Sequence, residues 1–160
     1  LTKDDSSFLG KKDTKIQDKT DLASNQKPEI VKTPKKVVKP PKIEDKPFDE
    51  FIVNHFIPSL KLSIEEKGTL VSVIKLLEGE RPVVGGVCWM VFCELSEQRK
   101  FWLCFNKASI TSDKTILLAE SNSDPSIVES FLIDEKKTTL PLLVSRVLQR
   151  LNGQKWVGVN

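Results

Sequence analysis

The sequence has one histidine, no tyrosine and only three cysteines among its 160 residues. It also lacks the glycine-rich phosphate-binding loops and the Gly-x-Ser-x-Gly motif that mark many nucleotide-binding proteins and hydrolases. Its longest uncharged stretch, residues 82–93, has 12 residues, whereas a membrane-spanning helix needs about 20. These absences argue against the common classes of nucleotide-binding protein and hydrolase, and against a transmembrane helix. We therefore expect a soluble protein.

The few residues that often carry catalysis are placed like structural residues. His55 shares a predicted apolar helix stripe with Phe56, which favours a buried structural histidine over a general base or metal ligand. Three cysteines are one short of the four thiolates of a typical iron–sulfur cluster, and Cys88 and Cys93 point to opposite faces of one predicted strand. Together with Cys104, they are expected to be buried and reduced, without a metal or a cofactor.

Lysine and proline are concentrated at the N-terminal end. Residues 1–47 contain 12 lysines, eight acidic residues and five of the nine prolines, and their apolar residues follow no period. Such a segment can bury too little surface to offset the entropy cost of ordering it. We predict a disordered Lys/Pro-rich tail over residues 1–45, a folded interaction domain over 46–156 and a C-terminal end over 157–160. Since the chain starts at Leu1, we expect that a targeting peptide has been removed.

The remaining sequence predicts an α+β fold. Apolar residues recur at helical spacing over residues 47–67, where Pro58 should bend the helix, and over residues 139–152. Between these helices, period-two alternation predicts four strands, at residues 70–77, 83–94, 100–106 and 114–120. Short connections favour an antiparallel meander sheet flanked by the two helices. Segment 126–134 remains open between a helical turn and an edge strand.

The central predicted hairpin is apolar on both faces, although a sheet with one face in solvent normally has a polar face. If its turn is centred on residues 97–98, opposite residues have numbers that sum to 195. The predicted core face then carries Cys88, Met90, Phe92, Phe101, Leu103 and Phe105. The other face carries Val87, Trp89, Val91, Cys93, Trp102 and Cys104. Either the second helix or segment 126–134 covers this second face, or Trp89 and Trp102 anchor a partner there.

Lysines cluster directly before the domain, in residues 27–46, without the aromatic residues or recognition helix of nucleic-acid-binding proteins. A flexible tether and an electrostatic arm that attracts an acidic partner both fit this pattern. The candidate arm residues are Lys32, Lys35, Lys36, Lys39 and Lys42. Near the other end of the chain, Arg150, Lys155 and Trp156 surround the predicted helix end, where they either cap the helix or contact a partner.

Three blocks carry a resemblance to a known family. They are KPPKIEDKPF at residues 39–48, SFLIDE at 130–135 and LQRLNGQKW at 148–156, and the resemblance covers about residues 39–156. The sequence resembles the NdhV family, which cyanobacteria and plants share and whose members are peripheral subunits of the photosynthetic NADH dehydrogenase-like (NDH) complex. The blocks are not catalytic motifs.

The resemblance implies a non-catalytic accessory subunit without a cofactor of its own. It places the protein on the stromal side of the chloroplast thylakoid membrane, next to the NdhS and NdhI subunits. There it would stabilise the ferredoxin-docking arm of the complex and support cyclic electron transport around photosystem I. Candidate interface residues are Trp89, Trp102, Arg150, Lys155 and Trp156, and ferredoxin is a further candidate partner. The alternative is a free-standing small-ligand-binding domain or small enzyme that uses His55 or a cysteine.

Overall fold

The structure, a computed structural model, describes residues 39–158, and the folded domain starts at Pro41. A helix precedes a five-stranded antiparallel sheet and a second helix follows it, so the predicted α+β class is confirmed. The sheet has five strands rather than four because part of segment 126–134 forms an edge strand. Most of the predicted tail lies outside the described residues, but Ile43–Asp45, assigned to that tail, forms a 3-10 turn. Within residues 39–158, no helix is long and apolar enough to cross a bilayer.

The first helix, α1, runs continuously over residues 48–66 but widens midway. It is α-helical over Phe48–Phe51, π-helical over Ile52–Phe56 and α-helical again over Ile57–Glu66. Pro58 accounts for the wider turn, because proline has no N–H and its ring would meet the carbonyl four residues earlier in an ordinary α-helix. The bend predicted at Pro58 therefore takes the form of a π-helical turn. The buried stripe of α1 consists of Phe48, Phe51, Ile52, Phe56, Leu60 and Ile64.

Each strand of the sheet pairs with the next strand along the chain, so the predicted meander is confirmed. The strands are β1 (Val71–Glu80), β2 (Val87–Leu95), β3 (Lys100–Phe105), β4 (Lys114–Ala119) and β5 (Ile127–Phe131). The second strand was predicted to start at residue 83, but residues 81–86 form the turn between β1 and β2. The start was predicted too early because Val83 and Val84 are β-branched, as strand residues often are. The residues that mark the turn in the sequence are Gly85 and Gly86.

The second helix, α2 (Leu140–Gly153), closes the domain against α1 and the sheet. Its N-cap is Thr139, whose side-chain oxygen accepts a hydrogen bond from the Leu142 N–H at 3.2 Å. Glu44, in the 3-10 turn before α1, accepts a second one from the Leu140 N–H at 2.9 Å. The N-terminal turn therefore belongs to the folded domain and caps its last helix. At the other end the core extends to Val157, which is buried although it was predicted to lie beyond the domain.

The register of the β2–β3 hairpin differs by one residue from the predicted register. Opposite residues have numbers that sum to 194, as in the pair of Val91 and Leu103, because the loop Ser96–Gln98 has three residues. A shift of one residue changes which side chains share a face. The helix-covered face carries Trp89, Val91, Cys93, Leu95, Phe101, Leu103 and Phe105. The opposite face carries Cys88, Met90, Phe92, Trp102 and Cys104. The predicted composition of both faces was therefore wrong.

Candidate functional site

A cleft of about 480 Å³ lies where the N-terminal turn, the β3–β4 loop and the start of α2 meet. Three separate segments form its walls, residues 42–48, 108–111 and 137–139. Its polar and charged lining consists of Lys42, Glu44, Asp45, Lys46, Ser109, Thr111, Lys137, Thr138 and Thr139. We call it the lysine cleft because three exposed lysines line it. Lys42 and Lys46 belong to the N-terminal wall, and Lys137 belongs to the wall before α2.

Hydrogen bonds fix the acidic residues of the lysine cleft and leave its positive groups accessible. The Glu44 carboxylate is bound by the N–H of Leu140, and the Asp45 carboxylate accepts a hydrogen bond from the N–H of Lys42 at 3.1 Å. Both carboxylates thus satisfy backbone donors in the wall. Lys46 forms an exposed ion pair with Glu50 at 3.2 Å, which holds weakly in water. The cleft therefore offers lysine ammonium groups to an anionic surface.

The hydroxyl-bearing wall of the lysine cleft is a tightly bonded loop between β3 and β4. The Ser109 and Thr111 hydroxyl oxygens lie 2.9 Å apart, and the Ser112 hydroxyl donates to the Ser109 carbonyl at 2.8 Å. Asn106 and Asp113 close the base of the loop through a backbone hydrogen bond of 3.0 Å. A loop held in this way keeps its shape when a ligand approaches, which favours binding.

Only one of the predicted arm lysines can be placed in the cleft. Lys42 lines it, whereas Lys32, Lys35 and Lys36 lie outside the described residues. Lys39 is described but does not line the cleft. Lys137 was not predicted as a site residue, because it lies 95 positions after Lys42 and no periodic pattern connects the two.

Trp89 and Trp102 do not share a face of the sheet. Trp89 lies on the helix-covered face, where its ring centroid is 5.8 Å from that of Phe48 in an edge-to-face arrangement. Trp102 lies on the opposite face, 5.3 Å from the ring of Phe92. The corrected register explains this separation, since Trp102 is opposite Phe92 rather than Cys93. The predicted docking face that combined both tryptophans was therefore wrong.

Trp156 belongs to the core of the domain. Its side chain is 3% exposed, its indole N–H donates to a Glu120 carboxylate oxygen at 3.2 Å, and the Arg99 guanidinium lies 5.8 Å from the ring centroid. The Thr69 hydroxyl donates to the Trp156 carbonyl at 2.9 Å and ties the C-terminal segment to the start of the sheet. Trp156 therefore cannot present its ring to a partner unless this packing opens.

Arg150 is engaged inside the domain, while Lys155 is exposed. The Arg150 guanidinium binds both carboxylate oxygens of Glu129, each at 2.8 Å, and so connects α2 to the edge strand β5. This hydrogen bonding lowers the pKa of Glu129 and raises the pKa of Arg150. Lys155 has a left-handed backbone conformation, with φ of +65°, just after α2. Of this C-terminal group, Lys155 is the residue most accessible to a partner.

Neither His55 nor any of the three cysteines lines the lysine cleft. His55 is half-buried on α1, with its ring centroid 6.5 Å from that of Phe51. All three cysteines are free and buried, as predicted. Burial raises the pKa of Cys93 and of Cys104 to about 12, so both thiols stay protonated at neutral pH. Among residues 39–158, no group of three or more histidine, cysteine or acidic side chains is placed to hold a metal ion.

Fold and cleft together define a small α+β domain with a hydroxyl-lined recess that contains three lysines and two acidic residues. A family model described as "Protein of unknown function (DUF2996)" matches residues 42–158. The match covers most of the chain, and the protein belongs to this family. It starts at Lys42, the first residue of the lysine cleft, so the N-terminal turn belongs to the family domain. No curated protein matches the chain.

Proposed function

We propose that this protein is a non-catalytic accessory subunit of the photosynthetic NDH complex. In this role it sits on the stromal side of the thylakoid membrane, stabilises the ferredoxin-docking arm and supports cyclic electron transport around photosystem I. The basis for naming this complex is the resemblance of the three sequence blocks to the NdhV family. NdhS and NdhI are the expected neighbouring subunits.

The observation that carries the proposal furthest is the lysine cleft. It is lined by Lys42, Lys46 and Lys137, and Lys42 and Lys46 are the last two lysines of the lysine-rich sequence at residues 27–46. An acidic partner such as a ferredoxin-type electron donor would meet a positive surface here. Each of the two acidic residues of the cleft accepts a hydrogen bond from a backbone N–H, and three lysines against two carboxylates leave the cleft a formal charge of +1.

Such a cleft would act mainly on the rate at which the donor and the complex meet. Complementary charge raises association rates at low ionic strength, and added salt screens the effect. The domain then has two roles. Its folded body stabilises the ferredoxin-docking arm of the complex, and its lysines attract the donor without taking part in electron transfer. Burial of Cys93 and Cys104 in protonated form gives no support to the alternative of a cysteine-dependent enzyme.

Purification of the tagged protein from thylakoids, followed by mass spectrometry, tests the accessory role. We expect NdhS and NdhI to co-purify with the wild type. A second measurement tests the lysine cleft: ferredoxin-dependent plastoquinone reduction is compared between wild type and a triple variant, Lys42→Ser, Lys46→Ser and Lys137→Ser. At low ionic strength the variant should be slower by up to about tenfold, and the difference should disappear as salt is added.

A matched control removes the same charge elsewhere. Lys61, Lys67 and Lys75 are exposed, and Lys61 forms an ion pair with Glu65 at 3.7 Å, as Lys46 does with Glu50. Serine at these three positions should leave the rate unchanged. If both triple variants slow the reaction equally, only net charge matters and the cleft has no specific role. If no NDH subunit accompanies the wild type, the accessory role itself is wrong.

A further inference from the structure

The turn between β1 and β2 exposes a cluster of valines. Val83, Val84 and Val87 are 70, 52 and 72% exposed, and all three lie within five consecutive residues. No charged residue occurs between Arg81 and Glu94, so the tip of this hairpin is apolar. Single exposed valines are common on protein surfaces, but a cluster of them within one turn is typical of an interaction site.

Val83 also has an unfavourable backbone conformation. Its φ is +67°, in the left-handed region that β-branched residues almost never occupy. Gly85 and Gly86 have φ of +83° and +90°, so the same turn uses glycine where the chain reverses its direction. Glycine at position 83 would serve the turn better than valine does. The turn therefore carries the valine side chain at a cost in backbone conformation.

Hydrogen bonds fix the tip relative to the sheet. The Arg81 N–H donates to the Gly86 carbonyl and the Gly85 N–H donates to the Arg81 carbonyl, both at 2.9 Å. The Arg81 side chain donates to the Asn106 side-chain oxygen at 2.7 Å, just beyond the end of β3. A tip fixed at both its base and its flank loses little conformational entropy when it binds.

We propose that the β1–β2 tip, residues 82–87, is a docking finger that inserts into an apolar pocket with a basic rim on another protein subunit. The inference rests on the proposed function, in which neighbouring subunits of the NDH complex are available. Exposed charge next to the tip defines the partner: Glu78 and Glu80 are exposed on β1, whereas Arg81 is half-buried and its side chain is bonded to Asn106. The Glu80 carboxylate lies 3.6 Å from the position that a Cβ on Gly85 would take. These carboxylates fit basic groups at the rim and would be repelled by an anionic lipid surface.

The variant Val83→Gly tests the finger, because it removes the side chain and relieves the backbone at once. The isolated full-length protein should melt at the same temperature as the wild type or higher. Its retention in the purified complex should nevertheless fall by about tenfold, as expected for the loss of an anchoring side chain. Leu62→Ser is the matched control, since Leu62 is 60% exposed on α1, and its retention should equal that of the wild type.

A photo-crosslinking residue at position 84 identifies what the finger contacts in intact thylakoids. A crosslink to another protein subunit supports the proposal. Crosslinks to a second copy of this chain or to lipid would overturn it, and so would undiminished retention of the Val83→Gly protein. A lower melting temperature for that variant would also overturn it, because Val83 would then be a structural residue.

Failure of the accessory role would look different from failure of the finger. It would appear in the wild type alone, as the absence of NDH subunits from the purified material. In that case a crosslink from position 84 to another protein still supports the docking finger, and the absence of such a crosslink refutes the docking finger. Failure of the finger by itself would appear as a Val83→Gly protein that remains in a complex which the wild type joins.

Discussion

Replacing Trp156 with alanine should destabilise the domain itself. The indole ring is 3% exposed, and truncating a buried aromatic side chain costs about 3–5 kcal/mol because apolar transfer free energy is lost and a cavity remains. The hydrogen bond to Glu120 and the contact with the Arg99 guanidinium add less, about 1 kcal/mol or below for each, since Glu120 is exposed. A free-energy loss of this size is a large part of the stability of a domain of this length.

Urea denaturation followed by circular dichroism measures this loss without relying on tryptophan fluorescence. With a typical dependence of about 2 kcal/mol per molar urea, the midpoint for Trp156→Ala should fall by roughly 2 M. Trp156→Phe is the matched control: it keeps an aromatic ring in the core but removes the indole N–H, so it should lose less than the alanine variant. An unchanged midpoint for Trp156→Ala, combined with weaker association with the complex, would refute this reasoning and restore Trp156 as an interface residue.

Two further predictions concern titratable groups. Arg150 holds the pKa of Glu129 below its usual range, so this pair stabilises the fold above the unfolded pKa of about 4.3 and its contribution is lost as pH falls through the lower folded pKa. Because the pair is partly exposed, Glu129→Gln should cost about 0.2–1 kcal/mol at pH 7, and a difference in thermal stability that persists at pH 2 would contradict the assignment. Cys93 and Cys104 should resist an aromatic disulfide reagent at pH 8 in the native protein, because burial raises the pKa of both thiols to about 12, and they should react once urea unfolds the chain. Rapid native labelling of either residue would show that its burial is wrong.

The fold class could be predicted from the sequence because its helices and most of its strands have clear periods. The fifth strand was predicted only as one of two alternatives, since Ile127–Phe131 contains exposed Glu129 and Ser130 and lies at the edge of the sheet, where pairing on one side weakens the alternation. The π-helical turn was foreseen only as a bend at Pro58. Its form depends on how the neighbouring carbonyl groups rearrange around the ring.

The hairpin register could not be predicted because it depends on backbone conformations without a residue signature. Glu97 and Gln98 have φ of +64° and +61°, a region usually occupied by glycine or asparagine, so neither residue type marks the three-residue loop in the sequence. The predicted turn, centred on residues 97–98, placed Trp89 on the wrong face. The lysine cleft was missed for a different reason: Lys42 was recognised by its charge, but Lys137 joins it only because the Glu44 hydrogen bond attaches the N-terminal turn to α2.

The consecutive order of the five strands also bears on how the chain folds. Each hairpin closes a short loop at small entropy cost, so we expect the sheet to form early, whereas α1 and α2 must meet from opposite ends of the domain. During synthesis all five strands emerge before α2 does, and the apolar face that α2 covers remains open until residue 153 has left the ribosome. Ribosome-bound chains from which α2 has not emerged should therefore expose this face to chaperones, and chains from which α2 has emerged should not. Pulse proteolysis of stalled chains of the two lengths would separate these cases.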